Sequence, residues 1–210
     1  MPAADCMIEN PDLSFETDLW PHFKYIAGLD EAGRGALAGP VAVGAVILPN
    51  DDPHLATTLS GARDSKQMTP RERERLAIKI KAIALTWAVG FGDANEIDSQ
   101  GIVRATRLAA IRALHQFTLT PQYLLTDFRL ELPQIELPQT SLVKGDAHCL
   151  SIACASILAK TARDALMCEL AEQHPGYGLD QSKGYGTEAH RSALKRLGSS
   201  EIHRKTFQVK

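Results

Sequence analysis

The chain has 210 residues, and its 23 Lys and Arg against 25 Asp and Glu leave a net charge of -2. With 44% hydrophobic residues and a mean hydropathy of -0.14, it can fill one sizeable core but not two large ones. No apolar run approaches the roughly 18 residues of a membrane span, and the global basic excess that advertises many nucleic-acid binders is absent.

In chain order, residues 1–22 lack clear periodicity and carry several Pro, Asp and Glu. They are expected as a loosely attached N-terminal arm, with residues 23–210 forming a single domain. The first 16 residues have no charged-then-apolar export pattern, which predicts a cytoplasmic protein. Residues 25–30 and 41–48 read as strands joined by a Gly-rich stretch, and residues 50–68 as a polar loop. A helix starts at Thr69, with Pro70 in its first position and Glu72 completing a capping box. Leu76, Ile80, Ile83 and Ala84 follow at helical spacing. Residues 87–91 suit a third strand. Residues 102–115 suit a second helix with Ala105, Leu108, Ala109 and Leu114 inward.

A short apolar strand over 123–126 ends at Asp127. Pro133 and Pro138 bracket a loop or edge strand, and 141–143 fits one more short strand. Ile152, Ala155, Leu158, Ala162, Leu166 and Leu170 mark the strongest helix, with Ser151 as its expected cap. A final helix is expected over 187–197. This order predicts an α/β protein with one mixed sheet and helices packed against it. The four cysteines, Cys6, Cys149, Cys154 and Cys168, show no framework spacing and read as reduced buried thiols. Trp20, Trp87 and Phe91 are assigned to the core.

Asp30 ends an apolar strand, Glu31 follows it, Asp127 ends another, and Asp146 precedes the long helix. A carboxylate at the end of a buried strand is costly unless it is paired or bound to a cation. Each acid alone also fits a turn or helix cap. Together they favour a shared site at one edge of the sheet, and oxygen donors without His or Cys favour Mg²⁺ or Mn²⁺. Neighbouring strand residues point to opposite faces, so Asp30 and Glu31 are expected to converge only where the strand gives way to the Gly33 turn.

Gly33-Arg34-Gly35 directly after the acids would let main-chain N–H groups approach a phosphate or hydroxyl oxygen. Ser65, Lys66, Lys144, Lys183 and the pair His203-Arg204 sit in loops; as a set they supply phosphate contacts without a basic composition. Tyr185 lies between two glycines, where it joins no apolar stripe, and stacking on a sugar or base is a natural use.

The run Tyr25-Ile26-Ala27-Gly28-Leu29-Asp30-Glu31-Ala32-Gly33-Arg34-Gly35, then Ala38-Gly39-Pro40-Val41, resembles the N-terminal signature of the ribonuclease HII family. Asp64-Ser65-Lys66-Gln67, Lys144-Gly145-Asp146, Ser156-Ile157-Leu158-Ala159-Lys160 with Arg163-Asp164, Lys183-Gly184-Tyr185-Gly186-Thr187 and His203-Arg204 also match, in family order. The resemblance covers residues 25–207. It implies an RNase H-like mixed five-stranded sheet flanked by helices, with a C-terminal helical extension. It implies Asp30, Glu31, Asp127 and Asp146 as catalytic ligands of Mg²⁺ or Mn²⁺, with Gly33, Arg34, Gly35, Ser65, Lys66, Lys144, Lys183 and Tyr185 as substrate-binding residues. The implied substrates are RNA/DNA hybrids and single ribonucleotides embedded in duplex DNA. The implied reaction is a two-metal hydrolysis leaving 3′-hydroxyl and 5′-phosphate ends. In this picture the Gly33-Arg34-Gly35 backbone and Tyr185 read the ribonucleotide's 2′-hydroxyl.

One departure is local. The family usually has glycine after the third carboxylate, whereas Phe128 follows Asp127 here, and a ring at that place would crowd the site or shift the loop. The rival readings are another nuclease of the same fold and an inactive nucleic-acid-binding module. A monomer is expected, and no sliding-clamp peptide is recognisable in the sequence.

Overall fold

Every residue of Val41–Ile47 is apolar or glycine and every one is buried, the pattern of a strand covered on both faces. The computed structural model describes residues 10–63 and 65–207, and this strand (β2) lies inside a five-stranded sheet. Its companions are Ile26–Ala32 (β1), Thr86–Gly92 (β3), Tyr123–Asp127 (β4) and Gln139–Leu142 (β5), in the spatial order β3-β2-β1-β4-β5. β1–β2 and β2–β3 are antiparallel, whereas β1–β4 and β4–β5 are parallel. The sheet is therefore mixed, as the sequence predicts.

The helices are Ser14–Leu19 (α1), Leu55–Thr58 (α2), Pro70–Ile83 (α3), Ala94–Gln100 (α4), Ile102–His115 (α5), Gly145–His148 (α6), Leu150–Gln173 (α7), Leu179–Ser182 (α8) and Glu188–Leu197 (α9). On one face of the sheet, Val46 and Leu48 pack with Leu76 and Ile80 of α3 and with Ala153, Ile157 and Leu158 of α7. On the other face, Leu29, Val43, Ala45 and Ile47 meet Ala109, Ala110 and Ala113 of α5. The two periodicities interlock: alternate strand residues address α7 and α5 in turn. Close approach depends on glycine. A Cβ at Gly44 would lie 2.1 Å from the Ala155 carbonyl oxygen, and one at Gly90 2.0 Å from that of Ala109.

Several expectations need correction. α5 turns small residues inward: Thr106, Ala110 and Ala113 are buried, while Leu108 and Leu114 are only half-buried. Trp87 lies on the outer strand and is 37% exposed, with the Lys81 ammonium 4.5 Å from its ring. Cys149 and Cys154 are free and buried, but Cys168 is exposed; Cys6 lies outside the described residues.

The described part of the N-terminal stretch is docked rather than loose. Phe15, Leu19 and Trp20 pack on a cluster that includes Ile26, Leu125 and Ile152. The buried carboxylate of Glu16 accepts the Ser151 main-chain N–H at 2.7 Å. Ser151 is thus inside the first turn of α7 and is not its cap. Cys149 holds the cap position without a side-chain capping bond, and a carboxylate 135 residues away satisfies the helix end.

Candidate active site

The parallel register pairs Leu29 with Thr126, which brings Asp30, inside β1, level with Asp127 at the end of β4. Pairing with β2 continues to Ala32, so β1 runs past both acids instead of ending at them. On the β4 side pairing stops at Leu29, and this open flank lets Glu31 turn toward Asp127. One carboxylate oxygen from each of Asp30, Glu31 and Asp127 lies within 4.8 Å of the others. Asp146 opens the short α6 just after β5. It stands outside that tight trio but near enough to act on Asp30 electrostatically.

The acids are held rather than loosely exposed. Asp30 Oδ1 accepts the Glu31 N–H at 2.8 Å, and Asp127 Oδ1 accepts the Gly145 N–H at 2.9 Å. Ser156 of α7 bonds the Asp30 carboxylate and lies 3.0 Å, hydroxyl to hydroxyl, from buried Ser65. Burial pushes the Asp30 carboxyl well above the ordinary range; the neighbouring charges of Glu31, Asp127 and Asp146 add to this and Ser156 opposes it. Burial also raises Glu31, against the pull of Arg34 and Lys66. Glu31 Oε2 is buried without a hydrogen-bond partner. A buried cluster of repelling oxygen donors with one orphaned oxygen fits a hard divalent cation. Phe128, next to Asp127, is 61% exposed.

A cavity of about 940 Å³ runs from Glu31 along Gly33, Arg34 and Gly35 to Tyr185, and Ser65, Lys66 and Lys183 also line it. Lys144 does not; it is exposed in a left-handed conformation ahead of α6. Asp64 lies outside the described residues. Lys183 is left-handed too, and its ammonium contacts Cys168 Sγ at 2.8 Å and the Asp180 carbonyl. Gly33 has φ +84, and a Cβ there would lie 1.8 Å from Arg163 Nε. Gly35 has open space around it. The glycine at 33 therefore admits a guanidinium from behind as well as freeing the cavity side.

Two buried arginines tie the lining together. Arg163 stands in the sequence only as part of a family motif; Arg204, expected with His203 as a loop residue contacting phosphate, is buried instead, as is His203. Arg163 donates to the carbonyls of Pro40, Lys183 and Ala38. Arg204 donates to those of Gly39, Arg34 and Gly33. Burial holds Arg204 down to about 9, with Arg163 adding repulsion. The Tyr185 ring carries Lys160 and Arg163 cations each 5.3 Å from its centroid. Lys160 also pairs with Asp164 at 2.7 Å, and Asp164 with Arg73 at 3.2 Å. Ser156, Lys160 and Asp164 stand at four-residue intervals on one stripe of α7, the last two lining the cavity and Ser156 buried against Asp30; that spacing was the available signal.

The family model described as Ribonuclease HII matches residues 27–210. A ribonuclease HII of Dehalococcoides mccartyi is 50% identical over 209 residues, covering 99% of this chain and 95% of that protein. One of Thermus thermophilus is 48% identical, covering 96% and 93%. The solved complex of PCNA with RNase HII from Archaeoglobus fulgidus contains a chain similar to this one, with a TM-score of 0.73 and 26% identity, covering 89% of this chain and 96% of that one. Among the described residues no helix is long and apolar enough to cross a membrane. From the match of sequence along almost its whole length, the chain belongs to the ribonuclease HII family and is a type 2 ribonuclease H.

Proposed function

We propose that this endonuclease hydrolyses the RNA strand of RNA/DNA hybrids and also cuts at single ribonucleotides embedded in duplex DNA. The products would be 3′-hydroxyl and 5′-phosphate ends. The observation that carries the reading is the convergence of Asp30, Glu31 and Asp127 within 4.8 Å, with Glu31 lining the same cavity as Tyr185. Asp30, Glu31, Asp127 and Asp146 would hold Mg²⁺ or Mn²⁺. Bound there, such cations supply a water acidic enough to attack near neutral pH and positive charge for the leaving oxygen.

The chain's own groups do the rest. Gly33, Arg34 and Gly35 present main chain to the ribonucleotide, and Arg34 is steadied by the Arg129 carbonyl at 3.4 Å and by Glu31 at 3.7 Å. Ser65 and Ser156 fix the Asp30 carboxylate from behind. Lys66, Lys183 and, at the rim, Lys144 offer charge to backbone phosphates. The Tyr185 ring, stiffened by the two cations against it, supports the sugar whose 2′-hydroxyl is read. A hydroxyl missing at that place would leave buried partners unpaired, which is how one oxygen can discriminate strongly.

The test is a substrate panel with Mg²⁺ or Mn²⁺: all-DNA duplex, RNA/DNA hybrid, and DNA duplex with one ribonucleotide. Cleavage of the last two, with a 5′-phosphate on the downstream product, supports the reading. Cleavage of hybrids alone would remove the single-ribonucleotide substrate. Tight binding without cleavage of any of them would return the chain to a binding role.

A further inference from the structure

His190 of α9 and His203 are buried, 0% and 3% exposed, and nothing in the reaction uses them. Their Nε2 atoms are 3.2 Å apart. His203 Nδ1 lies 3.0 Å from the Ser200 main-chain N–H, and His190 Nδ1 lies 3.0 Å from the Tyr185 carbonyl oxygen. A main-chain N–H can only donate and a carbonyl oxygen can only accept, so the two ends fix the protons between them. His203 accepts at Nδ1 and therefore carries its proton on Nε2, which it donates to His190 Nε2. His190 then carries its own proton on Nδ1 and donates it to Tyr185. With both rings neutral every position along this line is satisfied, and the other tautomer of either ring leaves like groups facing each other.

We propose that the His190–His203 pair is a positioning device for Tyr185, setting the place of the substrate-reading ring from behind. The proposal rests on the reading of Tyr185 given above. The Tyr185 carbonyl takes the His190 ring on one side and the Thr187 N–H, at 2.8 Å, on the other. The Gly184 carbonyl is held by the Leu37 and Ala38 N–H groups and that of Gly186 by Arg191, and between these glycines the Tyr185 carbonyl is the anchor that His190 supplies. His203 belongs to a segment that also bonds the Gly33 side of the cavity: the Ile202 carbonyl accepts the Gly39 N–H, and the Arg204 N–H reaches the Leu37 carbonyl. The pair therefore links the two recognition segments. Tyr177 packs its ring 4.7 Å from His203, closing the pair off from water. Among the described residues no carboxylate bonds either ring. Burial, reinforced by His190, holds His203 down to about 4, in keeping with a neutral ring.

The experiment compares His190→Leu, which removes the donor, with His190→Asn, whose amide N–H sits where Nδ1 does. In His190→Leu, amide exchange at residues 183–187 should quicken about tenfold. Single-turnover cleavage at one embedded ribonucleotide should slow about tenfold with duplex affinity unchanged. His190→Asn should restore most of both. Unchanged exchange in His190→Leu, or an Asn variant no better than Leu, overturns the proposal. If exchange quickens while Tyr185→Ala cleaves like the unaltered enzyme, the positioning stands and the role of Tyr185 as reader falls. If His190→Leu does not fold, nitrogen NMR of the unaltered protein decides: a proton on His190 Nδ1 and His203 Nε2 supports the device, and the opposite tautomers overturn it.

Discussion

Asp30 occupies a place that folding alone disfavours. Its carboxyl is buried, faces three other acids, and takes one hydroxyl in return. Asp30→Asn keeps the shape and removes the repulsion. Without added metal this variant should be more stable by about 1 kcal/mol, raising Tm by roughly 2–4 °C. It should also lose cleavage while still binding duplex. Calorimetry and a binding assay check both; retained cleavage would reject the metal assignment. At Gly33 the sequence indicates a close approach to ligand, and the structure adds a guanidinium behind it. Gly33→Ala combines a left-handed backbone with a steric overlap and should destabilise by about 2–3 kcal/mol in urea unfolding. The acids could be found from sequence because carboxylates at the ends of apolar strands are conspicuous. Arg163 could not, and Arg204 is expected on phosphate instead of inside, because their partners are main-chain carbonyls that any residue offers.

At the scale of elements, the start of α7 shows how far local sequence reaches. Thr69 and Glu72 form the expected capping box of α3, since both partners lie within one turn. The same signature at Asp93 and Glu96 caps α4, a helix not expected because its seven residues end at Gly101 before an apolar stripe develops. α7 is different: its end is satisfied by Glu16, across 135 residues, which no local pattern encodes. Glu16→Ala should cost about 1–2 kcal/mol, read as a lower urea midpoint with unchanged slope. The segment after α9 carries a pH signature. His203 is depressed from 6.5 to about 4 by burial and by His190. Between those values the unfolded chain binds a proton that the folded chain refuses, so stability rises with pH across the window and is complete above it. Acid titration of unfolding should show this slope, and His203→Gln should flatten it.

Across the whole molecule, charge is distributed rather than summed. The net charge is -2, yet Arg34, Lys66, Arg73, Arg129, Lys160 and Lys183 all line one cavity. Duplex binding by Asp30→Asn should therefore fall steeply with salt, with a log–log slope of roughly -3.6 to -5.4 as about four to six phosphates are engaged; a flat response would place the duplex elsewhere. The mixed α/β sheet and its main strands were legible in apolar runs broken by glycine and proline. The joining of sheet and C-terminal segments into one cavity was not, because it depends on buried polar side chains bonding distant carbonyls.

α7 runs behind both the acids and the Tyr185 ring. Ser156 touches the Asp30 carboxylate, and seven residues later Arg163 lies against the Tyr185 ring, an advance of about 10 Å along the axis. The interval between the acids and the aromatic ring is thereby a fixed gauge, cut to length by two turns of one rod. On the proposed reading of Tyr185, where a strand is severed relative to the sugar that is felt would be a matter of helical pitch.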